Sequence, residues 1–223
     1  LLNLVNQILD FRKIDQNKEK LTLSRIDIVS FVDNICTSFR TLANSKVTLA
    51  FDSTMPSLQM SFDADKVGKI VNNLLSNAYK FTPDGGFITV SLSVALRQRV
   101  GDKDSDMLRI SVSDTGKGIS DKEKEHVFER FYQVNGTEMQ PQGGSGIGLN
   151  LVKKFAELHG GKVDVTDNPS GGTIFMVDLP IESSTTSNST AHLGFLRAAP
   201  IITTVHQATD EDPDAGKNVL YGM

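Results

Sequence analysis

Two kinds of apolar periodicity alternate along residues 21–182, and they constrain the fold more than any other property of the sequence. Some segments place apolar residues every three or four positions, as amphipathic helices do, whereas others are β-rich runs bounded by turn residues. The predicted helices occupy 28–42, 67–78, about 120–131 and about 145–159. The predicted strands occupy 47–51, 58–62, 87–96, 107–114, 162–166 and 173–180, with a polar loop predicted at 97–106. This order predicts an α+β domain of two layers, in which helices pack on a mostly antiparallel sheet.

The two ends of the chain differ from this central part. Residues 1–20 carry apolar side chains at helical spacing, and we expect them to be the end of a longer helix from a bundle or dimer, with its connector. A terminal helix that docks on its own domain is the alternative. Residues 183–223 begin with the Ser- and Thr-rich segment 183–190, which is typical of a linker, so we expect a tether towards a further domain.

Composition and charge exclude several classes of protein. The formal net charge is −4, which argues against a general nucleic-acid binder with a basic face. The single cysteine, Cys36, excludes an internal disulfide and any metal site built from several cysteines. No run of the sequence approaches the ~20 apolar residues that a membrane-spanning helix needs. The sequence therefore indicates a globular domain of ordinary composition.

One face of the second predicted helix is polar. Asn73, Asn77 and Lys80 are spaced i, i+4 and i+7, so they point to one side of the helix, away from its apolar face. An amide oxygen can ligate Mg2+ without adding charge, and a lysine ammonium can meet a phosphate. A solvated helix face with incidental asparagines is the alternative interpretation.

The segment 114–119, DTGKGI, follows directly on a predicted strand. The Asp114 carboxylate can accept a hydrogen bond from an exocyclic amine, while Gly116 and Gly118 would let a flat ring approach the backbone. The alternative is an ordinary strand-to-helix turn, in which Asp and Gly serve only the backbone conformation.

A glycine-rich segment, GGSGIGL at 143–149, opens the fourth predicted helix and follows the polar stretch 133–142. Backbone N–H groups at a helix N-terminus form a ready anion site. The segment lacks the Lys of a P-loop, and no strand precedes it as in a dinucleotide-binding turn. We therefore predict that 133–142 is a mobile flap over a ligand.

Two short motifs accompany these sites. In FERFY at 128–132, we expect Phe128 and Phe131 to pack inward and Arg130 to reach an anion. The Gly-Gly-Thr motif at 171–173 precedes the last predicted strand, and by itself it indicates only a hairpin turn.

The order of these motifs closely resembles the ATP-binding domain of sensor histidine kinases. NNLLSNAYKFTP matches the N box, DTGKGI the first glycine box, FERFY the F box and GGSGIGL the second glycine box, with GGT following. The match covers residues 21–182. The family shares a superfamily with type II topoisomerases and mismatch-repair ATPases, and the resemblance implies a Bergerat-type two-layer α/β sandwich that binds Mg-ATP.

The resemblance also implies roles for individual residues. Asn77 would ligate Mg2+ with support from Asn73, and Lys80 and Arg130 would contact phosphates. Asp114 would bind the adenine amine. The other implied nucleotide-binding positions are Gly116, Gly118, Ile119, Gly144, Ser145, Gly146, Gly148, Leu149 and Thr173, the last acting through water.

Position 73 separates the branches of the superfamily by chemistry. The hydrolases carry there a Glu that deprotonates the attacking water, whereas the amide of Asn73 is not a competent general base. The resemblance therefore implies a kinase that holds ATP for another nucleophile. None of the histidines, at 126, 159, 192 and 206, is followed by an acid as the family's phosphoacceptor is, so we expect the acceptor outside this fragment.

The implied protein is the catalytic module of a two-component sensor. Its expected partners are the phosphoacceptor helical bundle of the same receptor, dimeric in the parent, and the receiver domain of a response regulator. Neither nucleic acid nor membrane is expected to contact this fragment, which would be the cytoplasmic part of an inner-membrane sensor. Two alternatives stay open: a nucleotide-gated interaction module without phosphotransfer, and a serine-directed kinase of the same superfamily.

Overall fold

The computed structural model describes Arg12 and residues 20–42, 46–100, 103–133 and 145–181. Several predictions fall outside the described residues. These are the first helix apart from Arg12 and Lys20, the flap at 134–142, Gly144 and the tail at 183–223.

The helices and strands follow one another largely as the periodicity predicts. In chain order they are β1 Ser24–Asp27, α1 Ile28–Leu42, β2 Thr48–Ser53, β3 Gln59–Phe62, α2 Ala64–Phe81, β4 Phe87–Val100, β5 Lys103–Asp114, α3 Asp121–Lys124, α4 Gly148–Leu158, β6 Lys162–Asp167 and β7 Thr173–Pro180. Strand β1 was not predicted, because four residues with a half-exposed pattern carry little periodicity. None of the helices in the described part of the chain has the length and apolarity that a membrane crossing needs.

The strands form one main sheet and one small one. The main sheet has the order β2-β4-β5-β7-β6, and β2 pairs with β4 in parallel while the other neighbours are antiparallel. Strands β1 and β3 form a separate antiparallel pair. The predicted α+β class with a mostly antiparallel sheet is therefore confirmed.

The core lies between one face of the main sheet and the helices. Along β4 the buried side chains alternate with partly exposed ones, so that Ile88, Val90 and Leu92 face inward and Ser91 faces outward. The apolar face of α2 meets this layer with residues such as Ile70. Burying each such large aliphatic side chain contributes roughly 1.5–3 kcal/mol. The polar face of α2 is thereby turned away from the core, where it is available to the candidate site.

A buried polar junction fixes the start of α2. The Asp63 carboxylate caps the helix by accepting from the Lys66 backbone N–H at 3.1 Å, and it also pairs with the Lys66 ammonium at 2.9 Å. It further accepts from the Thr22 N–H at 2.8 Å. His159, just after α4, accepts from the Asp63 N–H through Nε2 at 3.2 Å, while its Nδ1 donates to the Phe155 carbonyl. The start of α2 and the end of α4 are thus held together, and Thr22, which precedes β1, is bonded to the same carboxylate.

Cys36 lies on α1 and is fully buried. Burial raises the pKa of its thiol to about 11, because the thiolate would lose its hydration inside the core. The residue therefore behaves as a small apolar side chain in the folded protein.

Helix α3 is shorter than predicted. The capping box of Ser120 and Glu123 forms as expected, but the helix ends at Lys124 and turns follow up to Phe131. Val127 and Phe128 are drawn towards the core in these turns, and Phe131 has a φ of 58°, which no right-handed helix can contain. The prediction of a helix through about 131 was therefore wrong.

The predicted loop at 97–106 was also wrong in most of its length. Strand β4 continues to Val100, and β5 begins at Lys103, with a register shift between Ala95 and Gln98. Continued pairing satisfies the backbone N–H and C=O groups of a hairpin whether or not its side chains are apolar. Polar composition therefore did not mark the end of the strands.

Candidate functional site

The polar face of α2 places three predicted site residues side by side. Asn73, Asn77 and Lys80 are all half-buried. The Asn73 amide donates to the Lys69 carbonyl at 2.8 Å, which uses one of the two N–H donors of its N–H2 group. The Asn77 amide has no hydrogen-bond partner among the described residues. Its oxygen is therefore available to a ligand from outside the protein.

Phe81 ends α2 between two lysines. Lys80 Nζ lies 4.9 Å from the ring centroid and Lys117 Nζ lies 5.3 Å from it, both within cation–π range. The ring is 42% exposed, and neither ammonium forms an ion pair with a described acid. This rim of the site thus carries two positive charges. Lys117 was not predicted from the sequence, because one lysine in a glycine box has no partner that sequence spacing can reveal.

Asp114 lies at the end of β5 and is 5% exposed. Its carboxylate accepts from the Gly116 N–H at 2.8 Å, and the Asn168 amide donates to its backbone carbonyl at 2.7 Å. Burial raises the pKa of the Asp114 carboxyl, and hydrogen bonds from the Gly116 and Thr173 backbones offset this only in part. The carboxylate is thereby fixed in one orientation at the inner end of the site.

Close contacts at glycines bring three sequence motifs together. A Cβ at Gly116 would collide with the Phe81 carbonyl, so the first glycine box can lie against the end of α2 only without a side chain there. A Cβ at Gly172, whose φ is +92°, would collide with the Asp114 carbonyl. Thr173 follows at the start of β7 and is buried. The N box, the first glycine box and the Gly-Gly-Thr turn therefore meet around Asp114.

The F box meets the second glycine box on the other side. The Phe131 N–H donates to the Gly146 carbonyl at 2.9 Å, and a Cβ at Gly146 would lie 2.8 Å from Phe131. Phe128 packs against the core as predicted, with its ring edge-on to that of Phe175 at a centroid distance of 6.1 Å. The inward packing predicted for Phe131 was wrong: its left-handed backbone turns the ring outward, where it is 63% exposed. The Arg130 guanidinium lies over this ring at 5.5 Å.

Asn150 links the same two motifs from the helix side. It is 6% exposed, and its amide N–H2 donates to the Phe128 carbonyl at 2.9 Å. Its Oδ1 is buried and has no partner among the described residues. A neutral hydrogen bond contributes roughly 0.5–1.5 kcal/mol net, whereas an unsatisfied buried group costs roughly 1–3 kcal/mol. The only sequence signal for this residue is a polar side chain on the apolar face of α4, and it was not among the predicted site residues.

The remaining predicted positions lie at the starts and turns of these motifs. Gly148 begins α4 with Ile147 as its N-cap, three residues later than predicted, and the Ser145 hydroxyl accepts from the Ile147 N–H at 3.3 Å. Leu149 packs partly against the core. Gly118 has a φ of 73° and, together with Ile119, lines a cleft of about 620 Å3 between the cap of α3 and the β6–β7 turn.

This cleft flanks the candidate site without containing its main polar groups. Its lining includes Lys117 and Asn168, but neither Asn77 nor Asp114. The cleft therefore lies beside these polar groups and does not enclose them.

The described side chains could hold Mg2+ only if the phosphates of a nucleotide supplied further oxygen ligands. Among the described residues, no group of three or more His, Cys, Asp or Glu side chains could hold a metal ion. Mg2+ keeps several oxygen ligands and is commonly held by one or two protein groups plus substrate phosphates. The unpaired Asn77 amide beside the Lys80 ammonium matches that pattern.

A scan against family models finds one family in this chain. The model described as "Histidine kinase-, DNA gyrase B-, and HSP90-like ATPase" matches residues 62–183. Two curated relatives are Sensor histidine kinase TmoS of Ectopseudomonas mendocina and Hybrid signal transduction histidine kinase D of Dictyostelium discoideum. TmoS is 39% identical over 82% of this chain and 18% of its own length, and kinase D is 38% identical over 86% of this chain and 12% of its own. The chain thus spans less than a fifth of either relative.

Solved structures agree with this assignment of the fold. ShkA, solved full-length in complex with AMPPNP, superposes with a TM-score of 0.68 and 27% identity, over 82% of this chain and 36% of that one. The mycobacterial sensor histidine kinase MprB superposes with a TM-score of 0.56 and 28% identity, over 71% of this chain and 97% of that one.

Proposed function

The chain belongs to the family of histidine kinase-, DNA gyrase B- and HSP90-like ATPases, as a catalytic ATPase domain of the histidine kinase type, and we propose that it binds Mg-ATP and transfers the γ-phosphoryl group to a histidine outside these residues. The observation that carries the proposal is the meeting of three motifs around the buried Asp114, at the contacts of Gly116 and Gly172. The AMPPNP in the ShkA structure supports a nucleotide as the ligand.

The adenine end of the nucleotide would lie at Asp114. Its oriented, buried carboxylate is an acceptor for an exocyclic amine, and a purine with a carbonyl at that position would present no donor to it. Gly118 and Ile119 would border the ring, and Thr173 would complete the polar contacts through water. This arrangement favours adenine over guanine.

The phosphate end would lie between α2 and the start of α4. Asn77 would supply a neutral oxygen ligand to Mg2+, and Asn73 would support its side of the helix. Bound Mg2+ would neutralise part of the charge on the phosphates. Lys80 and Arg130 would bind phosphate oxygens, joined by backbone N–H groups of Gly144, Gly146 and Gly148.

The residues favour transfer over hydrolysis. The Asn73 amide cannot take a proton from water, and its N–H2 group is already bonded to Lys69. An external imidazole nitrogen would attack the γ-phosphorus, so that a P–N bond forms while the P–O bond to ADP breaks. The chain's own contribution would be to position and neutralise the phosphates rather than to provide a covalent intermediate. We place its partners in the phosphoacceptor bundle of the same receptor and in a receiver domain, on the cytoplasmic side where ATP is available.

Phosphotransfer can be tested in trans. The 223-residue protein is mixed with γ-labelled ATP, Mg2+ and a separately made phosphoacceptor bundle from the same receptor gene. We expect acid-labile, base-stable label on the bundle, as phosphohistidine gives, and none when EDTA is added.

Each other outcome selects a different function. Bound ATP without transfer would replace phosphotransfer by the nucleotide-gated interaction module. Acid-stable label would indicate the serine-directed branch, and the absence of any nucleotide binding would overturn the proposed function as a whole.

A further inference from the structure

The junction between the F box and α4 is closed by two hydrogen bonds. Asn150 Nδ2 donates to the Phe128 carbonyl at 2.9 Å, across 22 positions of sequence. The Phe131 N–H donates to the Gly146 carbonyl at 2.9 Å. The first bond comes from a buried side chain and the second from the backbone, so only the first can be removed by substitution without altering the main chain.

The Asn150 amide is an inefficient means of stabilising the fold. One half of it is bonded, but the buried Oδ1 has no partner among the described residues, and its desolvation opposes the gain from the other half. A leucine, which has the same number and branching of side-chain heavy atoms, would place apolar groups there without that desolvation cost. The main effect of the Asn150 amide is therefore to fix the position of the Phe128 carbonyl.

The held segment carries a group of the proposed nucleotide site. Arg130 follows Phe128 by two positions, and Phe131 adopts a left-handed backbone that is unfavourable for a residue with a side chain. Such a conformation persists only when its surroundings fix it. The bonds at Phe128 and Gly146 fix it from both sides, and they set the position of Arg130 relative to the start of α4.

We propose that Asn150 is a positioning residue of the nucleotide site. It holds the F box against α4 so that Arg130 and the N-terminal N–H groups of that helix act on the same phosphate group. The inference rests on the proposed function, because it assigns Asn150 to the binding of phosphates. It concerns phosphate contacts alone, since the adenine contacts at Asp114 belong to other elements.

The variant Asn150→Leu separates a positioning role from a structural one. We expect its affinity for Mg-ATP to fall about tenfold, a change of roughly 1.4 kcal/mol, while its affinity for adenosine changes less than about twofold. Adenosine serves as the probe because it keeps the base and sugar but lacks phosphates. Affinities are measured by titration calorimetry or by displacement, and the melting temperature without ligand is recorded for each variant.

Val152→Ala is the matched control on the same helix. Val152 is fully buried and makes no polar contact, so its truncation lowers stability through a cavity and should leave the ATP-to-adenosine affinity ratio unchanged. If Asn150→Leu fails to fold, Asn150→Ser replaces it, because serine is too short to reach the Phe128 carbonyl from the same position. The same fall in the ratio is expected.

The outcomes distinguish the two proposals. An unchanged ratio in the Asn150 variants, with wild type still binding Mg-ATP, would overturn the positioning role and leave the proposed function intact. Equal losses for ATP and adenosine would assign Asn150 a purely structural role. A wild-type protein that binds no nucleotide would overturn both.

Discussion

Asp114 meets two conflicting requirements. As a carboxylate it is an ideal acceptor for an exocyclic amine, yet it is buried, and burial raises the pKa of its side chain by disfavouring the charged form. The folded protein without ligand therefore carries an acid at a position that penalises ionisation. A hydrogen bond from the amine of a bound base would offset this desolvation cost. Groups with shifted pKa values are often found at functional sites for such reasons.

Replacing Asp114 by Asn removes the charge and keeps the shape. Because the folded-state pKa is raised, the folded protein binds this proton at pH values where the unfolded chain has lost it, so stability falls as the pH rises through that window. We expect Asp114→Asn to be more stable than wild type at pH 7, with an advantage that shrinks as the pH approaches 3.8. Urea unfolding at several pH values measures this difference, and parallel stability curves would contradict it.

The same substitution should weaken base selectivity. An amide can turn its N–H2 group towards the adenine amine, and a mispaired buried polar group costs roughly 1–3 kcal/mol, or about ten- to a hundredfold in affinity. We expect the preference for ATP over GTP to fall by that factor in competition binding. Unchanged discrimination would refute the role of Asp114.

Asn77 allows a test with a neighbouring control. Asn77→Ala removes the unpaired amide on α2, and we expect Mg-dependent ATP affinity to fall at least about tenfold, because one metal ligand is lost. Asn72→Ala is the control, since Asn72 is exposed on the same helix and bonds only to the Gly68 carbonyl. Equal Mg2+ dependence in the two variants, measured by titration with and without EDTA, would exclude Asn77 as a ligand.

Residues differ in how far the sequence predicts their position. Asp114 could be predicted to end a strand beside glycines, because its motif is local. Phe131 could not, since its left-handed backbone depends on a bond to Gly146, 15 positions away along the sequence. Asn150 shows only as one polar residue on an apolar face, and its partner Phe128 is known only from the fold.

At the scale of elements, the β6–β7 turn offers two adjacent glycines with nearly the same φ angle. Gly171 has a φ of +91° with open space around a Cβ, whereas Gly172 has a φ of +92° and would bring a Cβ into the Asp114 carbonyl. Gly171→Ala should cost about 1–2 kcal/mol of backbone strain. Gly172→Ala should cost a further 1–3 kcal/mol, roughly, from overpacking, and should also weaken ATP binding. Equal free energies of unfolding for the two variants would contradict the contact with Asp114.

The cap of α2 combines charge and burial. Burial alone would raise the pKa of Asp63, but hydrogen bonds from Thr22 and Lys66 outweigh it, so the pKa lies below its usual value. Its contribution is therefore present above pH 3.8 and is lost as the pH falls through the lowered value. We expect Asp63→Ala to cost about 3–5 kcal/mol, because the buried Lys66 ammonium would lose the carboxylate that lies 2.9 Å away.

Asp65→Ala is the matched control for this cap. Asp65 pairs with Lys69 on the exposed side of the same helix, and such i,i+4 pairs contribute only about 0.3–0.5 kcal/mol. Urea unfolding at pH 7 compares the two variants. Similar losses for both would show that burial of the Asp63 pair does not determine its energy.

Elements are predictable where a local signal defines them. The capping box of Ser120 predicted the start of α3, and the paired glycines predicted the end of α4, where Gly160 has a φ of 74°. The end of α3 was not predictable, because packing of Val127 and Phe128 overrides local helix propensity.

At the scale of the whole molecule, periodicity predicts the layers but not the order of the strands. The runs that became β2 and β3 are neighbours in sequence, yet β2 pairs in parallel with β4 and β3 pairs with β1. Strand partners are chosen by contacts that lie far apart in the chain, and a single sequence holds no direct measure of them. The candidate site could be inferred despite this, because the order of its motifs resembles a known family.

At the same scale, the alkylation rate of Cys36 can report how often the fold opens. It is the chain's single thiol, it is fully buried, and its pKa is raised to about 11, so an alkylating reagent reaches it mainly when the fold opens. In the regime where opening is at equilibrium, the rate of alkylation follows the population of the open state. We expect Mg-ATP at about 100 times its Kd to slow the alkylation of Cys36 about a hundredfold. Mass spectrometry measures the rate, because each modified chain gains the mass of one alkyl group. A rate independent of nucleotide would mean that ATP does not bind the folded state preferentially.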